Sequence, residues 1–106
     1  MSYVLCNKVS TLKIDNDYLS LFDLCLMILD RVPKEGVSIE EMKLDLSMTD
    51  KFFSKERNDE IDLSIKEIER LKTLLNLTKF PFRHKVFIEF SDYIMGLIKK
   101  TNDNDL

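Results

Sequence analysis

Glycine and proline are nearly missing from this chain, with two of each in 106 residues. β-Sandwiches and barrels need many tight turns, and turns draw on those two residues, so an all-β fold is not expected. Tryptophan is absent, and histidine occurs once, at His84. Cysteine occurs only at Cys6 and Cys25, too few and too far apart for a metal motif. Cys25 lies in an apolar run and reads as a buried thiol. Long apolar runs are lacking as well. The longest, Leu24 to Leu29, is far short of the roughly 20 residues of a membrane span. The N-terminus shows no basic region followed by an apolar stretch, so no secretory leader is expected. A reducing cytoplasm is the expected compartment.

Catalytic signatures are equally scarce. The sequence has no G-x-x-x-x-G-K-[ST] loop, no G-x-G-x-x-G turn and no nucleophile motif around a serine or cysteine. The acidic clusters Glu40-Glu41 and Asp59-Glu60-Asp62 lack the EF-hand pattern and read as solvated helix starts, where the helix dipole favours negative charge. His84, between Arg83 and Lys85, reads as a solvated surface residue. No catalytic residue, no cofactor site and no metal site is assigned, and the chain is read as a non-enzyme.

Apolar residues make up 44% of the chain and charged residues 33%, a globular balance. The net charge of -3 removes the usual reason to expect nucleic-acid binding. Its distribution is uneven: residues 38–70 hold ten acids and six bases, and residues 71–100 hold six bases and two acids.

The elements follow from periodicity and caps. Residues 3–14 read as extended, from alternating Tyr3, Leu5, Leu12 and Ile14 with β-branched Val4, Val9 and Thr11, and Asn7-Lys8 is a candidate hairpin turn. Asp15-Asn16-Asp17 reads as a turn and cap cluster. A first helix is expected from Tyr18 to Arg31, stopped by Val32-Pro33. It is apolar nearly all round, which marks a central helix or a subunit interface. Ser38 and Glu41 form an S-x-x-E capping box for a second helix, with Val37 and Met42 as its staple pair. Met42, Leu46 and Phe53 share one face of it. Leu44, Met48 and Phe52 are offset, so the helix has a broad stripe or a break near Ser47-Met48-Thr49. A charged linker, Lys55 to Glu60, follows. Ser64 and Glu67 form a second capping box, with Leu63 and Ile68 as staple. Ile65, Ile68, Leu71, Leu74 and Leu75 recur at helical spacing up to the stop at Phe80-Pro81. Phe87, Phe90, Ile94 and Leu97 favour a fourth helix, with a short strand at 86–90 (or anywhere in 84–90) as the competing reading. The expected fold is mainly α: a compact three- to four-helix domain over residues 1–100 with a short N-terminal extended segment or β-hairpin, then a flexible acidic tail at 101–106.

Lys79-Phe80-Pro81-Phe82-Arg83-His84-Lys85 is the most distinctive segment, interleaving cations with aromatics around a proline. It reads either as a loop that folds Phe80 and Phe82 into the core while its bases meet water, or as a patch that contacts phosphates or an acidic protein and stacks its rings. The order of elements also allows a winged helix with 64–77 as recognition helix. Glu67 and Glu69 among its charges oppose a DNA contact.

The stretch from Gly36 to Tyr93 runs Gly36-Val37-Ser38-Ile39-Glu40-Glu41-Met42, a charged linker, Glu60-Ile61-Asp62-Leu63, a Leu-rich helix, and an aromatic, basic turn before a last helix. In that order it resembles small accessory proteins of tailed bacteriophages, over a little more than half of the chain. The resemblance implies a viral origin and a role by binding, and carries over no site residue.

The expected function is therefore that of a protein-binding accessory protein that occupies a surface of a host or viral protein, as inhibitor or assembly factor. A winged-helix transcription regulator and a minor virion component are the alternatives. A homo-oligomer or hetero-complex is expected, with no membrane partner. The candidate contact residues are Leu21, Leu24, Met27 and Ile28 on the first helix, and Lys79, Phe80, Phe82, Arg83 and Lys85 in the turn.

Overall fold

The computed structural model describes residues 2–14, 16–31, 33–53 and 60–104, with side chains described within these from Tyr3 to Leu97. In chain order the elements are β1 (Ser2–Cys6), β2 (Val9–Ile14), β3 (Asp17–Ser20), α1 (Leu21–Asp30), α2 (Ile39–Phe53), β4 (Glu60–Ser64), α3 (Ile65–Leu77) and α4 (Lys85–Asn104).

The fold is α+β, which corrects the mainly helical expectation. Four helices pack with two separate two-stranded antiparallel sheets. β1 does not turn back at Asn7-Lys8. It pairs with β4, nearly sixty residues away, Tyr3 opposite Leu63 and Leu5 opposite Ile61. Alternation then puts Leu5, Ile61 and Leu63 into the core and leaves Val4, Glu60 and Asp62 outside. Asn7 serves the corner instead. Its side-chain oxygen accepts from Phe22 N–H at 3.0 Å, and the Lys8 carbonyl accepts from Leu21 N–H at 2.8 Å, so the start of α1 is tied to the end of β1. The hairpin lies one step later, between β2 and β3. Ile14 pairs with Asp17, and Asn16 takes the left-handed conformation (φ 74°) that a two-residue connection requires.

Each helix start follows its local chemistry. Ser20 caps α1 in a reciprocal box with Asp23, three residues later than the expected start because Asp17–Ser20 is a strand. Ser38 and Glu41 exchange bonds of 2.9 and 3.1 Å, and Ser64 and Glu67 exchange bonds of 2.9 and 3.2 Å, as the S-x-x-E spacing dictates. α2 is unbroken, but its sides are reversed: Met48 and Phe52 enter the core while Met42, Leu46 and Phe53 are exposed. Residues 85–90 are helical, and Val86, Phe87, Phe90 and Ile94 bury along one side of α4, so the strand at 86–90 is excluded. Asp15, Val32, most of the expected linker, the side chains beyond Leu97 and the chain after Asn104 lie outside the described residues, so the expected flexible tail is covered only by the backbone of α4 through Asn104.

α3 is the hub, touching α1, α2, α4, β1 and β4. Ile68 and Leu71 are fully buried there against Leu24, Ile28 and their neighbours in one cluster. Each such side chain contributes about 1.5–3 kcal/mol through burial. α2 is locked to α3 by polar bonds as well. Arg70 binds Asp45 through two bonds of 2.9 and 3.1 Å and reaches Glu41 at 3.0 Å, while Lys51 and Ser47 bind Glu67 at 2.8 and 2.9 Å. Cys25 is fully buried, which pushes its thiol pKa up to about 12 and leaves it unreactive. No helix among the described residues is long and apolar enough to cross a membrane.

Candidate functional site: the basic aromatic turn

α3 stops because Thr78 turns its backbone extended (ψ 136°). The Thr78 hydroxyl donates to the Leu74 carbonyl at 2.7 Å and its N–H to the Leu75 carbonyl at 3.2 Å, satisfying groups a helix end leaves free. The next helix begins with His84. Its ring Nδ1 accepts from Val86 N–H at 3.1 Å and its carbonyl from Phe87 N–H at 3.2 Å. The histidine is thus half-buried and caps α4 instead of standing free in solvent. Between these caps, Arg31 at the end of α1 donates from Nη1 to the Lys79 carbonyl at 2.7 Å and pins the turn to the body.

Three phenylalanines order the turn. Phe87 is buried. Phe80 stacks on it with ring centres 4.5 Å apart and planes 16° from parallel, and Phe82 lies over it at 5.3 Å and 57°. Phe80 is half-buried against the core, as the loop reading expects, whereas Phe82 remains 45% exposed. Phe82, Ile88 and Phe87 line a shallow depression of about 620 Å³ with Phe80, Arg83, His84 and Lys85. Ile88 is exposed beside it. Lys79, Arg83 and Lys85 are exposed, and none of them makes an ion pair among the described residues. The product is a mainly apolar hollow bordered by Arg83 and Lys85, with Lys79 at the neighbouring depression. An exposed ring held by its neighbours is an anchor that loses little conformational freedom on binding. Unpaired cations around it favour an acidic surface. Beyond Lys79 a second depression of about 550 Å³ continues along Arg31, Lys34 and the exposed Leu77.

The candidate residues of α1 fall elsewhere. Leu21, Leu24 and Ile28 are core residues with no surface to offer, and Met27 alone reaches solvent. The apolar girth of α1 is used by its packing against α2, α3 and β3 within the chain. The recognition-helix candidate is similarly placed. Glu67 and Arg70 are buried in bonds to α2, which leaves Lys66, Glu69 and Lys72 as its outward charges. No strand follows α3 among the described residues, so the wing is missing.

The sequence brought out the turn but not Ile88 or Leu77, which extend its apolar surface. Leu77 stands three residues after buried Leu74, so only the packing reveals that it points outward, whereas Ile88 falls off the period of Val86, Phe87, Phe90 and Ile94. Among the described residues no group of three or more histidine, cysteine or acidic side chains is arranged to hold a metal. Comparison with protein-family models, with curated proteins and with solved structures gave no match for this chain.

Proposed function

We propose that this chain is a non-enzymatic binding module that presents the turn at 79–85, with Phe82 as anchor and Lys79, Arg83 and Lys85 as rim, to an acidic protein surface. The observation that carries the reading is the exposed Phe82 ring, packed on Phe87 in a depression that Arg83 and Lys85 also line, with Lys79 in the neighbouring one and none of the three cations paired with a carboxylate among the described residues. The likeness of residues 36–93 to small accessory proteins of tailed bacteriophages makes a host or viral protein in the cytoplasm the proposed partner, with inhibition or assembly as the consequence of occupying its surface. A protein partner is favoured over nucleic acid because the chain is acidic overall, with a net charge of -3.

The test pairs Phe82→Ala with a DNA titration. Phe82→Ala is expected to lower partner affinity at least tenfold while leaving the melting temperature within a few degrees. DNA is expected to show no binding at low salt. Micromolar DNA binding with a steep salt dependence would overturn the reading.

A further inference from the structure

α2 carries a second apolar row that is left exposed among the described residues. Ile39, Met42, Leu46 and Phe53 are 68%, 43%, 59% and 62% exposed. At 100° per residue they lie within about 60° of one another, on the side of the helix opposite Met48. The spacing is that of a heptad seam, with Ile39, Leu46 and Phe53 in the first seam position and Met42 and Thr49 in the fourth. Thr49 is half-buried, and its hydroxyl is already satisfied by the Asp45 carbonyl at 2.8 Å. A helix held by Met48, Phe52, Arg70 and Lys51 needs no second apolar side for its own fold.

Charge selects the occupant and its direction. Lys43 and Asp50 flank the seam on one side, both exposed and neither in an ion pair among the described residues. Asp45 flanks the other side. Two copies of this helix packed parallel would set Asp45 of one against Asp50 of the other, a like-charge contact. Packed antiparallel, flanking residues on the same side meet each other. The register that puts Met42 opposite Phe53 and Leu46 opposite Thr49 brings Lys43 of one copy beside Asp50 of the other, twice. Sliding by one heptad would put Lys43 beside Lys43. The seam and its flanks are therefore complementary to themselves under a twofold axis, as an isologous contact requires. We propose that α2 is a self-association surface on which a second copy of this chain packs its own α2 antiparallel. The contact is independent of the turn at 79–85. A pair of helices about 22 Å long covers less than the ~800 Å² per partner of a standard interface, so micromolar association is expected.

Sedimentation of the full chain over roughly 1–300 µM reads this directly. The average mass is expected to rise with concentration from one copy towards two. Leu46→Lys is expected to weaken association at least tenfold with an unchanged melting curve. Lys43→Asp and Asp50→Lys are each expected to weaken it several-fold, and the double exchange to restore it. A native chain that stays monomeric throughout, a dimer indifferent to Leu46→Lys, or a double exchange no better than the singles would overturn the proposal. The charge exchanges sit on exposed positions, so they remain informative if Leu46→Lys disturbs folding. None of these variants alters the turn, so their failure leaves the turn's role standing.

Discussion

Ser20, Ser38 and Ser64 each accept from the backbone three residues on, and each receives an acidic side chain in return. Replacing Ser38 or Ser64 with alanine removes one such acceptor, and urea unfolding is expected to show a loss of about 1 kcal/mol for each. Two of the three boxes are legible in the sequence because S-x-x-E stands before an apolar helix. The third reads S-x-x-D inside a segment whose residues also suit a helix, so periodicity alone starts the helix three residues before its cap allows. The phenylalanines of the turn divide in the same way between what sequence shows and what packing decides. Phe87→Ala empties a buried site and is expected to cost roughly 3–5 kcal/mol, whereas Phe82→Ala removes a ring that is nearly half in solvent. Thermal melts of the pair check the division. A large loss for Phe82 would make it a core residue and remove it from the site.

The junction of α2 and α3 shows how an element is held by groups that titrate. Burial of Glu67 works against its charge, but the hydrogen bond from Lys51, those from Ser64 N–H and the Ser47 hydroxyl, and the Lys51 charge together hold its carboxyl below the ordinary value of 4.5. Glu41 is shifted the same way, by its two bonds with Ser38 and by the Arg70 charge, against some desolvation. A carboxyl depressed in the folded state stabilises it fully above the unfolded pKa and ceases to do so as pH falls through the folded value. Stability is therefore expected to decline from about pH 5 downward, and Glu67→Gln to lower stability at pH 7 while flattening that decline. Urea midpoints from pH 7 to 2 check it; an unchanged acid slope in the variant would contradict it. The strand pairing of β1 with β4 had no such local sign. Glu60-Ile61-Asp62-Leu63 alternates over only four residues, and its partner is nearly sixty residues away, so nothing near either strand announces the pairing. The competing helix and strand readings of 86–90 were decided by burial at 86, 87, 90 and 94, a helical period that extends past the ambiguous stretch.

At the scale of the whole molecule, charge and apolar surface are distributed in a way that composition alone conceals. Glu41 and Asp45 of α2 are spent on Arg70 of α3, and Glu67 of α3 on Lys51 of α2, while the bases of the turn have no carboxylate partner among the described residues. Of the apolar residues of α1 only Met27 is exposed, while four exposed apolar groups share α2 and three (Leu77, Phe82 and Ile88) lie around the turn, with Val4, Val9, Tyr18 and Ile65 exposed elsewhere. Sequence reasoning located the turn because cations and rings alternate within seven residues. A helix apolar all round reads the same whether neighbours or a partner cover it, and around Leu21, Leu24 and Ile28 of α1 it is neighbours within the chain that do. The role of the turn is tested most directly by capture of partners from cell extract with the native chain and with Lys79→Glu, Arg83→Glu and Lys85→Glu combined. The three positions are exposed, so each exchange is expected to change stability by no more than about 0.5 kcal/mol. The expected result is a protein retained by the native chain, released as salt rises because exposed charges are screened over about 8 Å at physiological ionic strength, and lost from the triple variant while its melting curve is kept. Equal retention by the folded triple variant, or retention of nucleic acid alone, would contradict it.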